Sequence, residues 1–332
     1  MSTESGSRGL VAWGRLLRLS LAPSALADAA AGVVVGAGGW PSGWAPWLLI
    51  AASGCVYHGG MALNDWADRG VDARERPERP IPSGAVGASA ALASAVLLLA
   101  GGVALAFVAA PVAGALLAVV AAAAIVYDLA GRGAVRGPLL LGVCRAGNLG
   151  AGVLLGGHLV GLGAAAIAPV GVPLALAYGA YVFVVSRLGR YEDGEAAEHI
   201  GSEPRRLVRG AALLLALAGL VAGLVQWVRP GDGMERAGVL LGESLPLAPW
   251  AGLALGGVVA ALGARGLWEA SQRTAWTRGD VLRTMGLCLR RLLIVTAAFA
   301  CGSGTLAGVL VGLAILGGYP VSRALRGWFP PS

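Results

Sequence analysis

The chain has 332 residues, 57% of them hydrophobic and 13% charged, with a mean hydropathy of +0.73. A soluble domain carries about a quarter charged residues, so these values exclude a water-soluble globular enzyme and indicate a polytopic membrane protein. The net charge of +7 comes from arginine with no lysine at all, and the arginines sit in short loops without interleaved aromatics, which excludes a nucleic-acid surface.

A membrane-crossing helix needs about 20 apolar residues. Runs of that length fall at 17–38, 46–63, 86–108, 110–127, 137–160, 163–186, 207–228, 246–266 and 290–317. They predict an all-α bundle of about nine transmembrane helices in a single domain over 1–332, with short tails at 1–16 and 318–332. The first run follows Arg15 and Arg18, shows no cleavage site, and reads as a span rather than a signal peptide. The 54 glycines and many alanines suit close helix packing in lipid. Tryptophans such as Trp40, Trp44, Trp47 and Trp250 fall near span ends, as an interfacial belt does. Cys55, Cys144, Cys288 and Cys301 lack metal-ligand spacing and are expected as free thiols.

Arginines crowd the tail before span one and the loops after spans two, four, six and eight. That alternation predicts the N-terminus inside and a cell (cytoplasmic) membrane location, with the chemistry facing the cytoplasm. Arg323 and Arg326 fall on the wrong side of this pattern if the spans number nine. The segment 267–289, with Glu269, Arg273, Arg278, Asp280 and Arg283 around Trp268 and Trp276, is expected as an amphipathic element on the inner surface.

Span two runs into Asn64-Asp65-Trp66-Ala67-Asp68-Arg69-Gly70-Val71-Asp72, followed by Arg79-Pro80-Ile81-Pro82-Ser83-Gly84. Asp65, Asp68 and Asp72 are spaced i, i+3, i+7 and share a helix face, while Asn64 and Asp68 are i, i+4 neighbours. Carboxylates so placed repel one another unless a cation lies between them. Hard oxygen donors without thiolate or imidazole point to Mg2+, which shares its shell readily with substrate phosphates. Arg74, Arg76 and Arg79 stand ready to hold phosphate oxygens.

Ionisable residues inside the spans need partners or a ligand. Asp28 lies midway along span one, as an acceptor contact or as the structural partner of another helix. Arg145 and Asn148 share a face of span five. They meet a substrate anion and an acceptor hydroxyl, or Arg145 pairs with Asp28 as an interhelical lock.

The stretch from Asn64 to Gly84 resembles the first aspartate-rich motif of the UbiA superfamily of intramembrane prenyltransferases, and the span count, topology and motif position are similar over nearly the whole chain. The resemblance implies transfer of an isoprenyl group from a polyprenyl diphosphate to a small hydrophobic or polyol acceptor within the lipid bilayer. It implies Mg2+ on Asn64, Asp65, Asp68 and Asp72, with the three aspartates as catalytic groups. Tyr127-Asp128-Leu129-Ala130-Gly131-Arg132 is similar to the family's tyrosine with a following basic residue, adding Tyr127 and Arg132 to Arg76, Arg79 and Arg145 as diphosphate contacts. The second motif departs from the family pattern: Arg187 and Arg190 stand where aspartates are expected, and the acids come later. Glu192 and Asp193 are thus either displaced metal ligands or part of a solvated loop. Cys144-Arg145-Ala146-Gly147-Asn148, the Asp28 segment and Ser186-Arg187 look similar to the EboC-like branch, linked to secondary metabolism; separately, the acceptor is expected near Asp28, Asn148 and Arg187. The rival expectation is a transport or non-catalytic protein on the same fold, engaged in secondary-metabolite export.

Overall fold

The computed structural model describes residues 2–130, 133–191, 202–225 and 249–329, and every regular element among them is helical. Helix α1 (Ser2–Leu16) precedes a 3-10 turn (Leu19–Leu21). Then follow α2 (Ala22–Ala37), α3 (Ala45–Glu75), α4 (Ala88–Ala109), α5 (Pro111–Leu129), α6 (Arg136–Leu159) and α7 (Ala164–Gly189). The second part holds α8 (Glu203–Val225), α9 (Pro249–Ala270), α10 (Arg278–Arg290), α11 (Leu292–Gly302) and α12 (Leu306–Trp328). Prolines open α2, α3 and α5 in their first turn, where the missing N–H costs nothing because those amides have no helical partner.

Among the described residues, nine helical segments are long and apolar enough to cross a membrane. The count agrees with expectation but its membership differs. The stretch 290–317 is not one span. It breaks at Ser303-Gly304, where Gly304 takes a left-handed φ of 72° and Thr305 accepts the amide of Gly308 to start α12. Such a turn needs glycine's freedom and a hydroxyl cap, and a pattern of apolar residues registers neither. The 267–289 segment likewise divides: α9 continues to Ala270, and α10 starts on a Thr277–Asp280 capping box and leads straight into α11. The expected tail from 318 is helical as far as Trp328. Helix α3 contains the expected second span, 46–63, but is not among the nine; it packs on α2 and α4 and carries the acidic motif in its last turns.

The helices pack around a ring in which α12 returns to pack on α2. The Ser322 hydroxyl donates to the Ser20 carbonyl at 2.6 Å, tying the end of α12 to the start of α2. Arg323 and Arg326 therefore lie on the same face as Arg18 and the acidic motif, and the topological exception disappears.

Glycines set the closest crossings. Gly32 and Gly36 of α2 face Gly152 and Gly156 of α6, and a Cβ on any of the four would run into the backbone of the other helix. In lipid, where apolar surface gains nothing by meeting other apolar surface, such backbone proximity is what holds helices together. Elsewhere Leu97, Val108, Leu176 and Leu262 stay exposed on the rim of the bundle, where lipid would meet them.

Candidate functional site

A cavity of about 590 Å3 opens among the helix ends on the arginine-rich face. Its walls are apolar in the bundle interior, with Val56, Val120, Leu141, Val182 and Val185, and polar where the helices end.

The end of α3 supplies Asn64, whose side-chain amide donates to Asp128 Oδ1 of α5 at 2.8 Å. Both residues line the cavity, as does Tyr127. The rest of the motif is divided. Asp65 and Asp72 turn toward Arg79, which is buried beneath the loop and sits 3.6 Å from Asp65 and 2.8 Å from Asp72. Asp65 also takes Arg18 Nη2 at 3.2 Å. Arg18 adopts a left-handed backbone, φ 50°, a strain of about 1–2 kcal/mol in a non-glycine residue. Its pairing with Asp65 offsets that strain and fixes the turn leading into α2. Asp68 is half-buried, one turn beyond Asn64.

Deeper in the bundle lies a second polar cluster. Arg145 Nη1 donates to Asp28 Oδ2 at 2.9 Å and its Nη2 to the Ser24 hydroxyl at 3.0 Å. Asn148 donates to the same carboxylate oxygen at 3.2 Å and to the Ala25 carbonyl at 3.0 Å. The Tyr178 hydroxyl donates to Asp28 Oδ1 at 2.7 Å. Asp28 is wholly buried, and the guanidinium of Arg145 lies 5.5 Å from the centre of the Tyr57 ring. The interhelical lock between Arg145 and Asp28 is thus present. Arg145 and Asn148 nevertheless line the cavity, and Asn148 Oδ1 is buried without a hydrogen-bond partner.

Of the residues expected at the site, the structure brings Asn64, Tyr127, Arg145 and Asn148 to one cavity, with Asp28 directly behind Arg145. Arg76 caps the end of α3 and is exposed, outside the lining. Arg187 donates to the Ala134 carbonyl at 3.3 Å, also outside it. Arg132, Glu192 and Asp193 lie outside the described residues. The sequence-based reading passed over Asp128, Arg18, Arg290, Arg323 and Arg326, all of which line the cavity. The signal was present in part, since Arg323 and Arg326 were the two residues that broke the charge alternation.

Among the described residues no group of three or more acidic, histidine or cysteine side chains is arranged to hold a metal by itself. What the cavity offers is a set of hard oxygens from Asn64 and Asp128, with Asp68 one turn away on α3. That set fits an ion such as Mg2+, which binds through one or two carboxylates and completes its shell with water and phosphate.

These features define a polytopic helical membrane protein with a chamber suited to an amphiphile: apolar within, cationic and oxygen-rich at one end. The chain matches the UbiA prenyltransferase family over residues 25–285 and belongs to that family. It is 43% identical over 103 residues to a digeranylgeranylglyceryl phosphate synthase of Halobacterium salinarum, covering 31% of this chain and 36% of that protein. It is 45% identical over 60 residues to the synthase of the same name from Thermococcus onnurineus, covering 18% and 21%. The matches thus span about a fifth to a third of the length of these curated relatives. A UbiA homologue from Archaeoglobus fulgidus, solved bound to GPP and Mg2+, superposes with a TM-score of 0.57 at 16% identity, over 92% of this chain and 99% of that one. A homologue from Aeropyrum pernix gives 0.52 at 20% identity, over 83% and 96%. At that identity the solved structures show the shared fold.

Proposed function

We propose that the protein transfers an isoprenyl group from an isoprenyl diphosphate to a hydroxyl-bearing acceptor inside the membrane, with Mg2+ as the divalent ion. One observation carries the reading: a chamber with apolar walls ends in Asn64, Asp128 and a set of guanidiniums on one face of the bundle. An isoprenyl diphosphate has the matching shape, a long apolar tail and a compact anionic head.

In this reading Asn64, Asp68 and Asp128 hold the ion. When bound, Mg2+ offsets the negative charge that gathers on the diphosphate as it leaves. Asp65 and Asp72 act one layer out. They hold Arg79 beneath the loop, outside the cavity lining, and Arg18 at the rim, so the Arg18 guanidinium is in place before the substrate arrives. Such fixed charges need no reorganisation when the allylic C–O bond breaks. The bond's electron pair goes to the diphosphate, and positive charge spreads over the isoprenyl group. The acceptor oxygen supplies the electron pair of the new C–O bond, and its proton leaves with the departing diphosphate. Asn148 Oδ1 is the natural partner for that hydroxyl, because it is a buried acceptor atom with no donor. The apolar walls keep water from capturing the cation. The acceptor is a polyol or an aromatic hydroxyl compound. The glyceryl group in the name of the matched synthases supports the polyol class, and the likeness at Cys144–Asn148 is the support for a role in secondary metabolism.

The test uses the full chain in nanodiscs with labelled geranylgeranyl and farnesyl diphosphates, in Mg2+ or in chelator. The expected result is Mg2+-dependent diphosphate release in the presence of acceptor, lowered by about 100-fold or more in Asp68→Ala. Retention of full activity by Asp68→Ala and Asn64→Ala would overturn the assignment of the ion. Movement of labelled substrate into vesicles without any release would favour transport instead.

A further inference from the structure

Gly59 and Gly60 are neighbours in α3, and only the first is explained by packing. A Cβ on Gly59 would come within 2.9 Å of the Leu99 backbone, so the approach of α4 requires glycine there. A Cβ on Gly60 would meet nothing nearer than the Ala124 Cβ at 3.8 Å, an ordinary contact. The backbone does not ask for glycine either. Gly60 lies inside the helix Ala45–Glu75 and has no positive φ. Alanine would favour a helix more, since glycine gives up more chain entropy on folding.

The cavity supplies the missing reason. Among the described residues Gly60 is the one glycine in its lining. Asn64 donates to Asp128 at 2.8 Å, and four residues back along both helices Gly60 faces Ala124. Two rungs at the same offset set α3 and α5 side by side in one direction. The second rung lies about 5.4 Å below the first, one helical pitch. Four residues further back, Val56 and Val120 also line the cavity. Beneath the oxygen donors the wall therefore passes from bare backbone and one methyl group to branched side chains. Glycine in such a place lets a ligand lie against the helix backbone itself. The same cavity presents Asn148, 7% exposed, whose Oδ1 has no hydrogen-bond partner, a second sign that it is shaped for an occupant.

We infer that the Gly60–Ala124 rung is a specificity-determining contact for the donor, taking the first isoprene unit, the branched carbons next to the diphosphate. The inference rests on the transferase reading, which puts the diphosphate at Asn64 and Asp128. A head held at the first rung lays the unit attached to it over the second. A side chain at position 60 occupies the space of those carbons, so hydrogen there is what admits them.

The experiment measures binding to the full chain in nanodiscs with Mg2+, using inorganic diphosphate, dimethylallyl diphosphate and geranylgeranyl diphosphate. Gly60→Ala and Gly60→Leu are compared with the wild type and with Gly101→Leu, at an exposed glycine of α4 that has open space around it. The expected result is that Gly60→Leu binds both isoprenyl diphosphates about tenfold or more weakly, the discrimination that single carbon atoms produce in an apolar pocket. Its affinity for inorganic diphosphate stays at the wild-type value. Gly60→Ala shifts the isoprenyl affinities the same way by less, and it unfolds at or above the wild-type temperature. Gly101→Leu changes none of the affinities.

Wild-type affinity for both isoprenyl diphosphates in Gly60→Leu would overturn the inference. An equal loss for inorganic diphosphate would do the same, because the new side chain would then be disturbing the Asn64–Asp128 end. A loss confined to geranylgeranyl diphosphate would move the contact beyond the first unit, against the assignment. Unfolding of Gly60→Ala well below the wild type would return the glycine to packing. Should the wild type bind no diphosphate in Mg2+, the transferase reading fails by itself and takes this inference with it. Binding by the wild type with no difference in the variants sinks the inference alone.

Discussion

The deep cluster around Asp28 and the arginine wall on α12 lie in one chamber and treat charge in opposite ways. In the deep cluster Arg145 and Asp28 meet at 2.9 Å, and Ser24, Asn148 and Tyr178 add hydrogen bonds to the pair. On α12 and at the end of α10, Arg290, Arg323 and Arg326 have no carboxylate among the described residues. A charge in the bundle interior has no water to turn to, so the fold itself must supply its partner. A charge at the helix ends reaches water, and the fold can leave it for a ligand. The first region is therefore part of the frame, and the second is charge that the frame does not neutralise.

The comparison breaks most readily at Asp28. Replacing it with asparagine strands the Arg145 guanidinium in the bundle interior, and the expected loss of stability is about 3–5 kcal/mol. Thermal unfolding in nanodiscs measures it. A double replacement, Asp28→Leu with Arg145→Met, removes both charges and should recover most of that loss while leaving acceptor use impaired. If Asp28→Asn unfolds like the wild type, the deep cluster is not a lock.

Gly152→Leu probes the frame on which that cluster hangs. A side chain there meets the Ala29 carbonyl and the backbone of Gly32 and Val33, so α2 and α6 must part. Overpacking of this kind costs about 1–3 kcal/mol, and it should also lower activity by separating Asp28 from Arg145. Unfolding and turnover on the same preparation distinguish a frame effect from a chemical one.

The smallest expected effect sharpens the contrast. Arg323→Gln/Arg326→Gln removes two charges, yet stability should change by no more than about 0.5 kcal/mol, as for surface sites without partners. A fall as large as that of Asp28→Asn would mean that the wall is also a structural element, and the two regions would no longer differ in kind.

Much of this molecule was legible in one dimension. Length, apolar runs and arginine spacing determined an all-helical membrane bundle and the face on which its polar residues gather, because hydrophobic transfer and loop charge act locally along the chain. The run from Asn64 to Asp72 declared an oxygen-rich site at the end of a helix, because i, i+3, i+4 and i+7 positions meet wherever a helix forms. Which of those oxygens enters the cavity was not written there. Asn64 reaches Asp128 while Asp65 and Asp72 reach Arg79, a division made by the rotation of α3 against α2, α4 and α5. The turn at Ser303-Gly304 was hidden in the sequence because three residues barely dent a hydropathy profile. Tertiary structure alone decided that Arg323 and Arg326 line the cavity. Their meaning depends on α12 folding back beside α2, and contacts some 300 residues apart leave no local pattern.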